Sequence, residues 1–366
     1  WLKWFEPFAV FLDGHCTSCG IAHSGYMGCA QSARPNTRNG PVRIPPIETK
    51  LFKEHQALLK EAGLRLDADA WGTSPLTKED TLLIIDMQND FLPVDVAPEG
   101  GRFGVAEGGS CIAVIIKLIE KFSNAGARII ATRDYHPWDH CSFKSSGGPF
   151  PPHCVQGSPG SFFHPAIGQA LVKAEKDAKG AGAGAAIKRA NSFGAKAADG
   201  DSYPRPSGQV EVVFKGFVEQ IDSFGGFEYD EAYFKERMGH SKWKPDDGIE
   251  CVKCAGPWTG CWSFKCSSMA ECIDAPPDIM AVNRPDKKPI QDMIPKKARL
   301  LIVGLAFDFC VLDSAVNARK LGYEKVFISV EAVRAAHIPG VGEHGSGFLT
   351  PPAFMTGKFK EHSIKI

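Results

Sequence analysis

Three apolar runs in this chain each lead to a side chain able to move a proton or share an electron pair. TLLIID ends on Asp86, EVVFKG carries Lys215, and LLIVG runs through LAFDFC to Cys310. A carboxylate, an ammonium and a thiol are the parts of a nucleophilic hydrolase, in which a base takes the thiol proton and a cation steadies the charged pair. Each also has an ordinary reading. Asp86 could cap a turn, Lys215 could be a solvated strand end, and Cys310 could be a buried structural thiol. Cys310 sits where a loop becomes a helix, and free backbone N–H groups and the helix dipole there can lower a thiol pKa and hold an oxyanion.

A second group follows another apolar run. TRDYHPWDHCSF supplies Asp134, His136 and His140, and GPFPPHC supplies His153 on a proline-stiffened loop, with His164 beyond. In an extended segment Asp134 and His136 point the same way, as a metal site requires. One such histidine is ordinarily a surface or capping residue. Three histidines and an aspartate gathered after one strand favour a metal ion.

The elements that must position these residues form a regular pattern from Thr81 onward. Short buried strands alternate with amphipathic helices, which predicts an α/β fold of three layers, α/β/α, around a central parallel sheet. Strands are expected at Thr81–Asp86, Arg128–Thr132, Val210–Phe214, Arg299–Gly304 and Lys325–Ser329, with a short sixth at Ser363–Ile366. Helices are expected at Ser110–Ala125 and Cys310–Leu321. Ligand sites in such folds lie beyond the carboxyl ends of strands. Asp86, Lys215, Cys310 and the Asp/His group all stand there, and their convergence makes an active site the better explanation.

Other stretches depart from that rhythm. Residues 1–75 read as a partly irregular N-terminal extension with one helix over Glu48–Leu66, and 76–366 as the α/β domain. Within the domain, 173–206 is rich in Ala, Gly and Lys (KGAGAGAAIKRA) and reads as a surface excursion. Residues 231–294 hold five cysteines and three of the seven tryptophans, and read as a Cys-rich insertion. Cys251, Cys254, Cys261 and Cys266, with Cys272 beyond, could hold a structural zinc; so could Cys16, Cys19, His23 and Cys29. Each cluster has a single C-x-x-C, and reduced thiols are the plainer reading.

In the 366 residues, 42 Lys and Arg balance 42 Asp and Glu, so no global field favours nucleic acid or an acidic membrane. No apolar run approaches the roughly 18 residues of a membrane span. A cytoplasmic protein is expected on that basis, and a homo-oligomer is compatible with it. The chain opens at Trp1 rather than Met, so an incomplete start is expected.

DMQNDF, TRDYHPWDHCSF, PPHCVQGSPG, FKG, IDSFGGF and GLAFDFCV, in that order, resemble the nicotinamidase branch of the isochorismatase-like cysteine hydrolases. The resemblance covers about Thr81 to Phe227 and Arg299 to Ile366. It implies a catalytic triad of Asp86, Lys215 and Cys310, and metal ligands Asp134, His136 and His153, with His140 a further ligand in some members. It also implies a cis peptide at Leu305–Ala306, with the N–H groups of Ala306 and Cys310 as oxyanion hole. The implied activity is hydrolysis of nicotinamide to nicotinic acid and ammonia through a Cys310 thioester, in NAD salvage. The implied cofactor is one divalent ion, zinc first, although iron or manganese suits the same donors. Another amide or ether hydrolase of the superfamily is the nearest rival, but such relatives generally lack the D-x-H and PPHC group. A non-enzymatic metal-binding interaction protein, argued from the cysteines, is the more distant one.

Overall fold

The computed structural model describes residues 44–66, 71, 74–179, 209–244, 246, 258–263 and 288–366. Five parallel strands form the centre of the sheet: β1 (Thr81–Ile85), β2 (Arg128–Asp134), β3 (Val210–Lys215), β6 (Arg299–Leu305) and β7 (Lys325–Arg334). Two short antiparallel strands, β4 (Trp262–Ser263) and β5 (Lys288–Pro289), extend the β3 edge, giving the order β5-β4-β3-β2-β1-β6-β7. The chain builds outward from β1 in one direction and then returns to build outward in the other. The crevice at the carboxyl ends of β1 and β6 is therefore the topological switch point, where open α/β sheets bind ligands.

Alternation along β1 divides the core. Leu82 and Ile84 face one layer, Leu83 and Ile85 the other, and all four are fully buried. The first layer is α2 (Ile112–Asn124) and α3 (Pro165–Lys179), which bury Ile115, Leu118, Phe122, Ile167 and Leu171. The second contains α1 (Lys50–Glu61), α4 (Glu231–Arg237), α5 (Leu312–Lys320) and α6 (Pro352–Glu361), burying Leu59, Phe234, Val316 and Phe359 among others. Truncating such a residue to alanine costs about 2–5 kcal/mol, through lost transfer energy plus the cavity left behind.

The strand starts agree with the sequence pattern, and the ends differ where polar residues remain paired. β2 continues to Asp134 and β3 to Lys215 because Asp134 and Lys215 are still in register across the ladder. β7 runs to Arg334, with a register irregularity opposite Ile302–Gly304. The expected sixth strand is only a bridge between Lys365 and Phe327. The helix expected from Cys310 begins at Leu312, because Phe307–Val311 form a wider π turn.

Helix α1 ends at Glu61, two residues before Gly63 at φ 83°, rather than at Leu66. It is tied to the α/β body at its N-terminus, where the Glu107 carboxylate accepts from Leu51 N and Phe52 N, each 3.2 Å away, and from the Thr49 hydroxyl. An acceptor there satisfies N–H groups that the helix cannot pair itself.

The stretch assigned to a surface excursion begins inside α3, whose Leu171 and Ala174 are buried. The Cys-rich stretch opens with α4, which Asp230 caps by accepting from Tyr233 N at 2.9 Å. That stretch also contributes Trp262–Ser263 to the sheet. Of the expected zinc cluster, only buried Cys261 is described; Cys251, Cys254, Cys266 and Cys272, like Cys16, Cys19, His23 and Cys29, lie outside the described residues. Among the described residues no helix is long and apolar enough to cross a membrane.

Candidate active site

Register brings the three chemistry-bearing residues together. Asp86 follows β1, Lys215 ends β3, and Cys310 lies in the turn after β6. Asp86 and Lys215 are fully buried and Cys310 is nearly so. Lys215 Nζ stands 3.0 Å from Asp86 Oδ2 and 3.8 Å from Cys310 Sγ, and it also pairs with Asp134 Oδ1. One ammonium thus serves two carboxylates and a thiol. The β1 and β6 backbones approach closely here: a Cβ on Gly304 (φ 113°) would lie 2.0 Å from Ile85 O. The Leu305–Ala306 peptide that follows is cis.

Asp86 itself has a left-handed backbone, φ 45°, and is held by Thr132. The Thr132 hydroxyl donates to Asp86 Oδ1 at 2.5 Å and accepts from Asp86 N at 3.1 Å. Asp86 Oδ2 pairs with Lys215 at 3.0 Å, and one atom from each of Asp86, Asp134 and Cys310 lies within 4.8 Å of the others.

The two carboxylates titrate apart. Burial pushes Asp86 up to about 6, with Asp134 adding to the rise and Lys215 and Thr132 opposing it. Burial acts on Asp134 too, but Lys215, His136 and His153 outweigh it and hold it at about 2. Burial alone would lower Lys215; the two carboxylates instead keep it charged, well above its ordinary value. The Cys310 thiol is pushed up by burial, with Lys215 opposing and both carboxylates adding to the rise. The thiol proton is therefore held more tightly than in a free cysteine.

Asp134, His136 and His153 form the second half of the site, with one ligand atom from each within 4.8 Å of the others. His136 Nδ1 bonds Gly216 O and His153 Nδ1 bonds Pro151 O, both at 2.8 Å. A carbonyl only accepts, so each Nδ1 carries a proton and Nε2 is the atom each ring could offer to a metal ion. Glycine is required behind His136, because a Cβ on Gly216 (φ 63°) would lie 2.4 Å from the ring. Gln88 fixes the backbone of Asp134 from both sides, accepting from its N at 2.8 Å and donating to its O at 2.7 Å.

His140 stands behind this group, stacked on His136 at 4.1 Å. Its Nε2 is 3.2 Å from Ile221 O and its Nδ1 is 2.7 Å from Ser142 Oγ, so both ring nitrogens have protein partners. His164 lies outside the cluster, with Nδ1 accepting from Ala166 N at 3.3 Å. Asp90 supports the His153 loop by accepting from Cys154 N at 2.7 Å. Sequence reasoning assigned no role to Thr132, although its place two residues before Asp134 puts it on the same strand face.

Residues 80–176 match the isochorismatase domain family. Over those residues the chain is similar to that family. It is 36% identical over 108 residues to the nicotinamidase of Escherichia coli and 36% identical over 99 residues to the nicotinamidase/pyrazinamidase of Mycobacterium tuberculosis. Each alignment spans 25% of this chain and 48% of the relative, so the chain matches about half the length of these two proteins. Among solved structures it is similar to the pyrazinamidase of Pyrococcus horikoshii in complex with zinc, at 22% identity and TM-score 0.41, covering 79% of this chain and 98% of that one.

Proposed function

We propose that this chain is a nicotinamidase that cleaves the carboxamide C–N bond of nicotinamide through a thioester on Cys310. The observation that carries the reading is the burial of Asp86, Lys215 and Cys310 around one ammonium, next to the Asp134, His136 and His153 donors. The similarity to nicotinamidases of other organisms supports the same reading.

In this reading Asp86 takes the Cys310 proton as sulfur attacks the amide carbon, and Lys215 stabilises the charged pair. The N–H groups of Ala306 and Cys310 receive the oxyanion. When the C–N bond breaks, Asp86 returns its proton to the departing ammonia. Water then attacks the thioester carbonyl while Asp86 accepts its proton, and nicotinate and the Cys310 thiol are released.

The donor set fits a divalent ion: one carboxylate and two imidazoles whose Nδ1 protons are committed to carbonyls. Asp134, His136 and His153 would hold it, with zinc first among the candidates. When bound, the ion would supply a ligand position for the pyridine nitrogen and so orient the ring. A role in NAD salvage follows from this activity.

The test compares ammonia release from nicotinamide, pyrazinamide and benzamide before and after chelation, and after zinc, manganese or iron is restored. Nicotinamide and pyrazinamide, which keep the ring nitrogen, should be hydrolysed by the loaded enzyme, and benzamide poorly. Equal turnover of benzamide and nicotinamide would defeat the positioning role. An unimpaired metal-free enzyme would reduce Asp134, His136 and His153 to structural residues.

A further inference from the structure

Behind the His136–His140 stack lies a buried carboxylate–imidazole pair that the chemistry above leaves unused. His240 Nε2 is 2.7 Å from Asp222 Oδ2, and the two side chains are only 5% and 4% exposed. The two segments are joined next to the pair as well, since Asp222 N donates to the Ser241 hydroxyl, Oγ, at 2.8 Å. Phe150 and Phe224 pack against the His240 ring, at 5.7 and 6.2 Å between centroids. Burying the Asp222 carboxylate this completely is costly, and removing His240 would leave it without that partner.

Asp222 faces the site. One ligand atom from each of Asp222, His136 and His140 lies within 4.8 Å of the others. These atoms do not make a second ion site, because their capacity is already committed. Asp222 Oδ1 accepts from Ser223 N at 2.8 Å and Oδ2 is taken by His240. His140 has Ile221 O and Ser142 Oγ as partners, and His136 Nδ1 is on Gly216 O. What remains is a fixed negative charge beside two imidazoles. Such a charge holds the rings in place and raises the basicity of a ligating nitrogen.

We propose that Asp222 and His240 are positioning residues, and that the pair orders the His136–His140 stack so that His136 is preset to bind an ion with Asp134 and His153. The inference rests on the metal reading given above. It also gives the start of the Cys-rich stretch a place in the site, since His240 follows α4. That helix is fastened to the layer beneath Cys310: Arg237 Nε donates to Asp313 Oδ1 at 2.9 Å, and Arg237 Nη2 donates to Asp308 O at 3.1 Å. The placement of His240 is therefore coupled to the nucleophile turn.

The experiment measures zinc affinity of the full chain by competition with a chromogenic chelator, with circular dichroism to verify folding and alkylation of Cys310 in metal-free protein as a second readout. Asp222→Asn, which keeps shape and removes charge, should weaken zinc binding by about 10–100-fold while leaving the alkylation rate near that of wild type. His240→Leu should weaken binding similarly, and His240→Gln, which keeps an N–H donor for Asp222, should restore most of the loss. If Asp222→Asn does not fold, the two His240 variants decide the matter. Folded Asp222→Asn or His240→Leu protein that binds zinc as tightly as wild type overturns the inference and leaves the metal reading standing. Wild-type protein that binds no zinc overturns both.

Discussion

Asp134 and Lys215 sit opposite each other across the β2–β3 ladder, and the ammonium of one pairs with the carboxylate of the other. Asp134 also turns its second oxygen towards His136, with Oδ2 3.6 Å from Nε2. One side chain therefore joins the half of the site proposed to hold the nucleophile to the half proposed to bind a metal ion. Replacing Asp134 with Asn should disturb both: zinc affinity should fall by more than the roughly 10–100-fold typical of supporting residues, and the alkylation rate of Cys310 should change in metal-free protein. His153→Ala should reduce zinc affinity but leave metal-free alkylation near its wild-type rate. If both variants leave alkylation untouched, Asp134 does not communicate with the thiol through Lys215.

Cys310→Ala should lower turnover on the order of 10⁴–10⁶-fold, as removal of a nucleophile does elsewhere, without loss of the fold. Sulfur is small, and the turn around it is held by backbone bonds from Phe309 N and Val311 N to Ala306 O, at 3.2 and 3.1 Å. Cys310→Ser should be almost as inactive, since a hydroxyl is far harder to deprotonate than a thiol. Steady-state ammonia release, together with thermal unfolding, checks both. Folded Cys310→Ala protein with wild-type turnover would exclude the thioester.

The acid side of the pH profile should report Asp86. A base works only while ionised, so activity should be present above about pH 6 and should be lost as pH falls through that value. Each further pH unit down should cost roughly tenfold in kcat/KM. A profile of kcat/KM in metal-loaded enzyme tests this, provided ion occupancy is measured at each pH. A rate that stays flat well below pH 5 with the ion still bound would mean that Asp86 is not the base.

Much of this site was legible in the sequence because its residues sit at strand ends, and the strands announce themselves by uninterrupted apolar runs. Thr81, Arg128, Val210, Arg299 and Lys325 were expected as strand starts, and each begins a strand. Strand ends were less legible. Asp134 and Lys215 look like turn residues by composition, yet each remains in register on the ladder, because the partner its side chain meets there lies 81 residues away. Helix α3 was not expected, because its later turns, in the stretch read as a surface excursion, carry few large apolar residues, and its packing rests on Ile167 and Leu171. His240 had no local signal at all. It is 18 residues from Asp222, in a stretch whose cysteines drew attention elsewhere, and only the packing of α4 brings the two together.

The last expectation concerns Thr132, which touches no reacting atom in the proposed chemistry but sets the base. Its hydroxyl donates to Asp86 Oδ1 at 2.5 Å in a site from which solvent is excluded. A hydrogen bond to an ionised group contributes about 1.5–3 kcal/mol, and one pKa unit corresponds to about 1.4 kcal/mol. The bond favours the charged carboxylate, so removing it adds to the upward push of burial. Thr132→Val keeps the branched shape on the β2 face and deletes the donor. Its acid limb should therefore move to higher pH by about one unit or more, so that the variant is impaired near neutrality and recovers as pH rises. Thr132→Ser restores a hydroxyl and should return the limb towards its wild-type position. Thermal unfolding at each pH separates this from a loss of folded protein. An acid limb that does not move in folded Thr132→Val enzyme would show that Asp86 does not depend on this bond for its charge.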